Sequence, residues 1–224
     1  MKKNHNMHKN YYEYRALYTL QKLYPSEYGN FIHGDKPDLF DPNTSVGVEV
    51  VRAVDPKSEE NMAYFNRYLN KRPLWEIPDK QLLNFEESDN HIITMGDLSL
   101  EPFDMVIGYT PPAIWFNLNS LKNAINKKTD YLDRTTWKTE TLELYLFTDS
   151  FKVYEIQDVL ELVRHTQETQ KGKYKKYRSL FVDDCGWFYR CDLQEERFMF
   201  HNTEDILHEI CVRSKEQAER GITS

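Results

Sequence analysis

The sequence predicts an α/β fold: a mixed central sheet flanked by helices, with an insertion and a C-terminal extension. Three observations carry this. Apolar residues at helical spacing open the chain at Ala16, Leu17, Leu20, Leu23 and Tyr24, and recur at Leu121, Ala124, Ile125 and Leu132. β-Branched and aromatic runs stand apart from these stretches, VGVEVV at 46–51 and LELYLFT at 142–148. The polar turn DPNTS at 41–45 precedes the first run, and its Asp41, Pro42 and Asn43 supply the preset φ and side-chain hydrogen bonds of a hairpin.

In order, the first helix covers residues 10–24 and ends before Pro25 and Gly29. Strands follow at Asn30–His33 and Asp38–Phe40, then the turn, then a strand at Val46–Val54. Ser58 with Glu59 and Glu60 reads as the cap and acidic first turn of a helix through about Lys71, with Met62, Phe65 and Leu69 as its buried stripe. Residues 72–118 are broken by Pro73, Pro78, Pro102, Pro111 and Pro112, with strands near His91–Met95 and Met105–Gly108. A helix at Ser120–Leu132 and a strand at Leu142–Thr148 come next, then a helix near Ile156–His165 and a basic loop. Strands at Arg178–Val182 and Trp187–Cys191 turn through Asp184–Gly186, and Thr203 caps a last helix packing Ile206, Leu207, Ile210 and Cys211. One domain over 1–224 is expected, its core at about 10–72 and 118–150, an insertion at about 73–117 and an extension at about 151–218.

Composition excludes several classes. No apolar run is long enough to span a bilayer, and the basic stretch MKKNHNMHKN leads into no apolar signal region, so no membrane partner is expected. Cys185, Cys191 and Cys211 make an odd set without CxxC spacing, which points to reduced thiols in a cytoplasmic protein and away from zinc. A net charge of -7 argues against a surface coated for non-specific DNA binding and leaves room for a local basic groove. The seven histidines show no metal spacing, and no Gly-rich phosphate loop is present.

The chemistry concentrates in KPDLFDPNTSVGVEVVRA at 36–53. Asp38 follows a proline, and Glu49 lies within a valine run, where a carboxylate costs stability unless it is solvated or paired. If the hairpin folds back, Asp38 approaches Glu49, and two carboxylates make an oxygen cradle for Mg²⁺ or Mn²⁺. The plain alternatives are a turn-forming Pro-Asp and a solvated strand face.

Pro37-Asp38, a turn, and Glu49 between hydrophobic residues resemble the PD-(D/E)XK, or restriction-endonuclease-like, nuclease superfamily. The resemblance covers residues 10–148 and implies an αβββαβ core, with Asp38, Glu49 and the backbone carbonyl of Val50 as metal ligands. It implies Mg²⁺-assisted hydrolysis of nucleic-acid phosphodiesters, DNA before RNA, and a homodimer where both strands of a duplex are cut. The family's lysine position holds Val51, but some members carry that lysine on a neighbouring helix. In SLKNAINKKTDYL, Lys128 falls on the stripe of Leu121, Ala124, Ile125 and Leu132, which makes it the candidate catalytic lysine, with Lys127 second. The alternative is a lysine snorkelling to water.

Glu13 lies four residues before Leu17 on the apolar face of the first helix, and the resemblance implies an accessory acidic ligand from this helix; pairing with a nearby cation is the alternative. KGKYKKYR at 171–178 interleaves Lys171, Lys173, Lys175, Lys176 and Arg178 with Tyr174 and Tyr177, cations for phosphates and rings for bases. A solvated loop is the plainer reading. Val51 keeps a second function open: a catalytically inactive nuclease-like binding or scaffold module in a defence or mobile-element complex.

Overall fold

The computed structural model describes residues 2–53, 56–87, 90–96, 104–110, 118–132, 139–148, 155–184, 186–195 and 197–223. In chain order the elements are α1 (Lys2–Leu23), α2 (Pro25–Tyr28), β1 (Ile32–His33), β2 (Leu39–Phe40), β3 (Val46–Ala53) and α3 (Pro56–Tyr68). A 3-10 turn (Leu74–Glu76), α4 (Asp79–Glu86), β4 (His91–Gly96), β5 (Asp104–Thr110) and α5 (Leu118–Leu132) follow. Then come β6 (Thr141–Thr148), α6 (Ile156–Thr169), β7 (Tyr177–Asp184), β8 (Trp187–Asp192), β9 (Phe198–Asn202) and α7 (Glu204–Thr223). Two compact units result, one of residues 1–53 with 118–224 and one of residues 54–117.

The first unit is built on a seven-stranded sheet in the order β1-β2-β3-β6-β7-β8-β9. β1, β2 and β3 form an antiparallel meander, β3, β6 and β7 run parallel, and β8 and β9 return antiparallel. The sheet is therefore mixed, as the patterns predict. Strands β7 and β8, which the sequence sets apart in an extension, belong to this same sheet, and β9 joins them. β9 has no counterpart in the sequence expectation, because FMFHN is short and half exposed and so shows little alternation.

Alternation along the strands sorts the side chains onto two helix-covered faces. Val48 and Val50 of β3 join Tyr145, Phe147, Phe181 and Phe188 in one buried cluster with Ala16, Leu17 and Leu20 of α1. The intervening β3 positions, Gly47 and Glu49, point to the other face, where α5 packs on β3 and β6 and α6 packs on β7. Leu121, Ala124 and Ile125 of α5 are buried, as their spacing requires, and so are Val159 and Leu162 of α6.

Boundaries differ for local reasons. α1 begins at Lys2 because nothing in residues 2–10 breaks a helix, although the apolar stripe starts later. α3 begins at Pro56, a residue suited to the first helical turn, so Ser58 lies inside the helix, and its side chain is outside the described residues. Thr203 precedes α7, but its hydroxyl is buried with no hydrogen-bond partner among the described residues. Asn202 Oδ1 instead accepts the Glu204 N–H at 2.9 Å. Pro102, Pro111, Pro112 and Cys185 lie outside the described residues.

The second unit has its own core, Phe65, Leu69, Ile77, Phe85 and Val106, with Ile92 and Tyr109 against it. β4 and β5 pair antiparallel, and α3 packs with α4. The sequence expectation starts the insertion at about residue 73 and leaves α3 in the main core; here α3 belongs to residues 54–117. Among the described residues, no helix is long and apolar enough to cross a membrane.

Candidate active site

The β2–β3 register pairs Leu39 with Val48 and Phe40 with Gly47, so one further step sets Asp38 beside Glu49. A close approach makes this fit: a Cβ on Gly47 would lie 2.3 Å from Pro37 Cγ, so only glycine admits Pro37 against the strand. Asp38 Oδ2 accepts the Val50 N–H at 2.8 Å, which fixes the carboxylate over β3. Both acids are buried, Asp38 at 3% and Glu49 at 5% exposure. A solvated strand face for Glu49 is thereby ruled out.

α5 delivers the third group. Lys128 Nζ lies 2.5 Å from Glu49 Oε2 and 3.5 Å from Asp38 Oδ2. Its side chain is 23% exposed, and the ammonium rests on the carboxylates instead of snorkelling outward. Burial alone would lower its pKa; the charges of Asp38 and Glu49 outweigh that, and the net shift is upward. Lys127, one position round the helix, is exposed. Below the pair stands Tyr177, fully buried, whose hydroxyl donates to the Lys128 carbonyl at 3.3 Å. Burial, then Glu49 and Asp38, raises the phenol's pKa and keeps it protonated.

The other expected residues are placed elsewhere. Glu13 Oε2 meets His33 Nε2 at 2.5 Å, and the His33 ring stacks on Tyr14 at 4.6 Å. His33 pairs with Leu39 and Leu39 with Val48, so this pair sits on the α1 face, whereas Glu49 points to the α5 face. Glu13 is thus not brought to the carboxylate pair, because the sheet lies between. Among the described residues no group of three or more acidic, His or Cys side chains is arranged around a common metal position.

Of the basic stretch, Lys171 bonds Glu168 at 2.5 Å and Lys173 lies 4.0 Å from Asp130. Arg178 Nη2 meets fully buried Glu143 Oε1 at 2.5 Å, which ties this guanidinium to a carboxylate of β6. Lys176 is exposed, Lys175 half-buried, and Tyr174 94% exposed. Sequence reasoning missed His33 and the burial of Tyr177. Tyr177 begins a strand in register with buried Leu142, which periodicity hints at, while nothing in the sequence marks His33 as the partner of Glu13.

Chemically, the α5 face brings together two carboxylates, Asp38 beside β2 and Glu49 on β3, and one protonated amine. An all-oxygen, carboxylate-rich set is what a hard divalent cation such as Mg²⁺ takes. No protein-family model matches the chain, and no curated protein or solved structure matches it either.

Proposed function

We propose that the chain is a Mg²⁺- or Mn²⁺-dependent nuclease of the restriction-endonuclease-like kind. One observation carries the reading: Lys128, from a helix and not from β3, reaches both Asp38 and Glu49. The order α1, β1–β2–β3 meander, α5, parallel β6 agrees with the αβββαβ core that the resemblance implies.

Asp38 and Glu49 would hold the cation, with the Val50 carbonyl beside them. A bound divalent ion supplies an acidified water and charge neutralisation at the phosphate. The Val50 N–H orients Asp38. Lys128, kept protonated by its two carboxylates, is a hydrogen-bond donor and not a general base at neutral pH. Its place is to stabilise negative charge growing on the phosphoryl oxygens as water adds to phosphorus and the bond to the departing oxygen breaks.

Calorimetry of Mn²⁺ binding tests this on the wild type, Asp38→Ala and Glu49→Ala, each first checked for cooperative melting. Binding is expected in the wild type and lost in both variants. Lys128→Ala is expected to bind Mn²⁺ more tightly, since a competing cation is gone, yet to cleave nucleic acid about 10²–10³-fold more slowly. A wild type that binds no Mn²⁺ sinks the reading. One feature favours the inactive binding module as second: Lys128 already compensates Glu49 without any metal. Mn²⁺ binding with no cleavage of DNA or RNA would select it.

A further inference from the structure

At the C-terminal end of α5, one turn beyond Lys128, a cleft of about 250 Å³ is lined by Leu132, Gly172, Tyr174 and Lys175. From Lys128 to Leu132 is about 6 Å along the helix axis, a span that one nucleotide bridges. The loop that forms the cleft is held at its base. Gln170 accepts the Tyr177 N–H at 2.9 Å through Oε1 and donates to the Tyr177 carbonyl at 3.3 Å through Nε2. The Lys173 N–H donates to the Gln170 carbonyl at 3.2 Å. Tyr177 in turn bonds the Lys128 carbonyl, so the loop and the carboxylate pair share one anchor.

Gly172, at φ +74°, turns the chain, and a Cβ there would meet nothing within 4 Å. The cleft wall is thus bare backbone, open to a close-approaching ligand. Beside it stands the Tyr174 ring, 94% exposed and without a ring contact or hydrogen bond among the described residues. A large ring held out on a fixed loop, followed in the chain by Lys175, which lines the cleft, and exposed Lys176, has the composition of a base-stacking platform with phosphate contacts.

We infer that this cleft receives an unpaired nucleotide of a single-stranded nucleic acid, its base stacked on Tyr174 and its phosphate met by Lys175 and Lys176. The choice of ligand rests on the nuclease reading. A paired base inside a duplex has both faces covered by its neighbours and offers none to Tyr174. The cleft therefore selects single strands, or a frayed or flapped end, next to the position of cleavage.

The test is fluorescence anisotropy of a labelled oligothymidylate and of a blunt duplex of equal length, in EDTA so that nothing is cut. Tyr174→Ala is expected to lower single-strand affinity about tenfold, with Tyr174→Phe close to wild type and duplex affinity unchanged in both. An exposed loop residue leaves folding intact. Unchanged single-strand affinity in Tyr174→Ala, equal losses on both probes, or a wild type that does not bind oligothymidylate would each overturn the inference. Cleavage with Mg²⁺ is scored separately. Metal-dependent cleavage with Tyr174-independent binding removes the cleft and leaves the nuclease; Tyr174-dependent binding with no cleavage does the reverse.

Discussion

On the α1 face of the sheet, Asp183 takes the Arg15 guanidinium on one oxygen and the Tyr145 hydroxyl on the other, each at 2.8 Å. Glu143 on the same face takes Arg178 and the hydroxyls of Tyr28 and Ser179. On the α5 face, Asp38 and Glu49 share one ammonium, that of Lys128. Among the described residues Arg15 meets one carboxylate, Asp183, whereas Lys128 bridges two, Asp38 and Glu49. Access separates Lys128 from Arg15 but not from Arg178: the Arg15 side chain is 7% exposed, that of Lys128 23% and that of Arg178 39%. A guanidinium sealed against its acid is fixed architecture. An ammonium shared between two acids and open to solvent can give way to another cation.

The strongest way to break this contrast is to remove each cation. Arg15→Met leaves Asp183 buried beside a neutral side chain and is expected to cost about 3–5 kcal/mol in urea unfolding. Lys128→Met is expected to cost about 1–3 kcal/mol, less because the site is partly solvated. Mn²⁺ should restore most of the loss in Lys128→Met and none in Arg15→Met. Equal losses that Mn²⁺ leaves untouched would make the two clusters alike, and Lys128 merely structural.

Hydroxyl deletions sharpen the same contrast at lower energy. Tyr145→Phe removes a donor to a buried carboxylate, a bond worth about 1.5–3 kcal/mol. Tyr177→Phe removes a 3.3 Å bond to a neutral carbonyl, worth about 0.5–1.5 kcal/mol. Equilibrium unfolding of the two variants should therefore rank Tyr145→Phe as the more damaged. The reverse order would place the firmer network on the α5 face.

Glu49 and Lys128 were legible in the sequence because each breaks a pattern around it, and Asp38 because it follows a proline just before a turn. Glu49 interrupts valines, Lys128 interrupts a helical stripe, and the turn at 41–45 sets the register that brings Asp38 alongside. Glu13 breaks a stripe in the same way, yet it goes to His33. Periodicity says that a residue faces the sheet, not which face of the sheet its helix covers. Arg178, at the start of a strand, reads as a phosphate contact because its acid stands 35 residues earlier, on β6, a pairing that only the parallel β6–β7 register creates. α4 and β9 escaped for want of pattern: DKQLLNFE is one short helix after a proline, and FMFHN is an edge strand exposed at several positions.

Alkaline pH tests both faces at once, because they contribute with the same sign. Burial raises the phenols of Tyr28, Tyr145 and Tyr177 above their ordinary value of 10.0, with nearby carboxylates adding to it. Lys128 is raised above 10.5 against the opposing effect of its own burial. A raised group holds its proton in the folded chain after the unfolded chain has lost it, so its contribution is complete below the ordinary value. As pH climbs past that value toward the folded one, stability falls by about 1.4 kcal/mol per pH unit for each such group. Unfolding measured across pH 9 to about 11 should be flat at first and then decline. Tyr145→Phe and Tyr177→Phe should each lessen the slope above pH 10.0 by about one proton. Lys128→Met should lessen it only above 10.5 and by less, because burial and the two carboxylates pull its ammonium in opposite directions. A Lys128→Met variant whose slope matches wild type throughout would mean that the ammonium gains nothing from Asp38 and Glu49 on folding, and the shared-cation description of the α5 face would go with it.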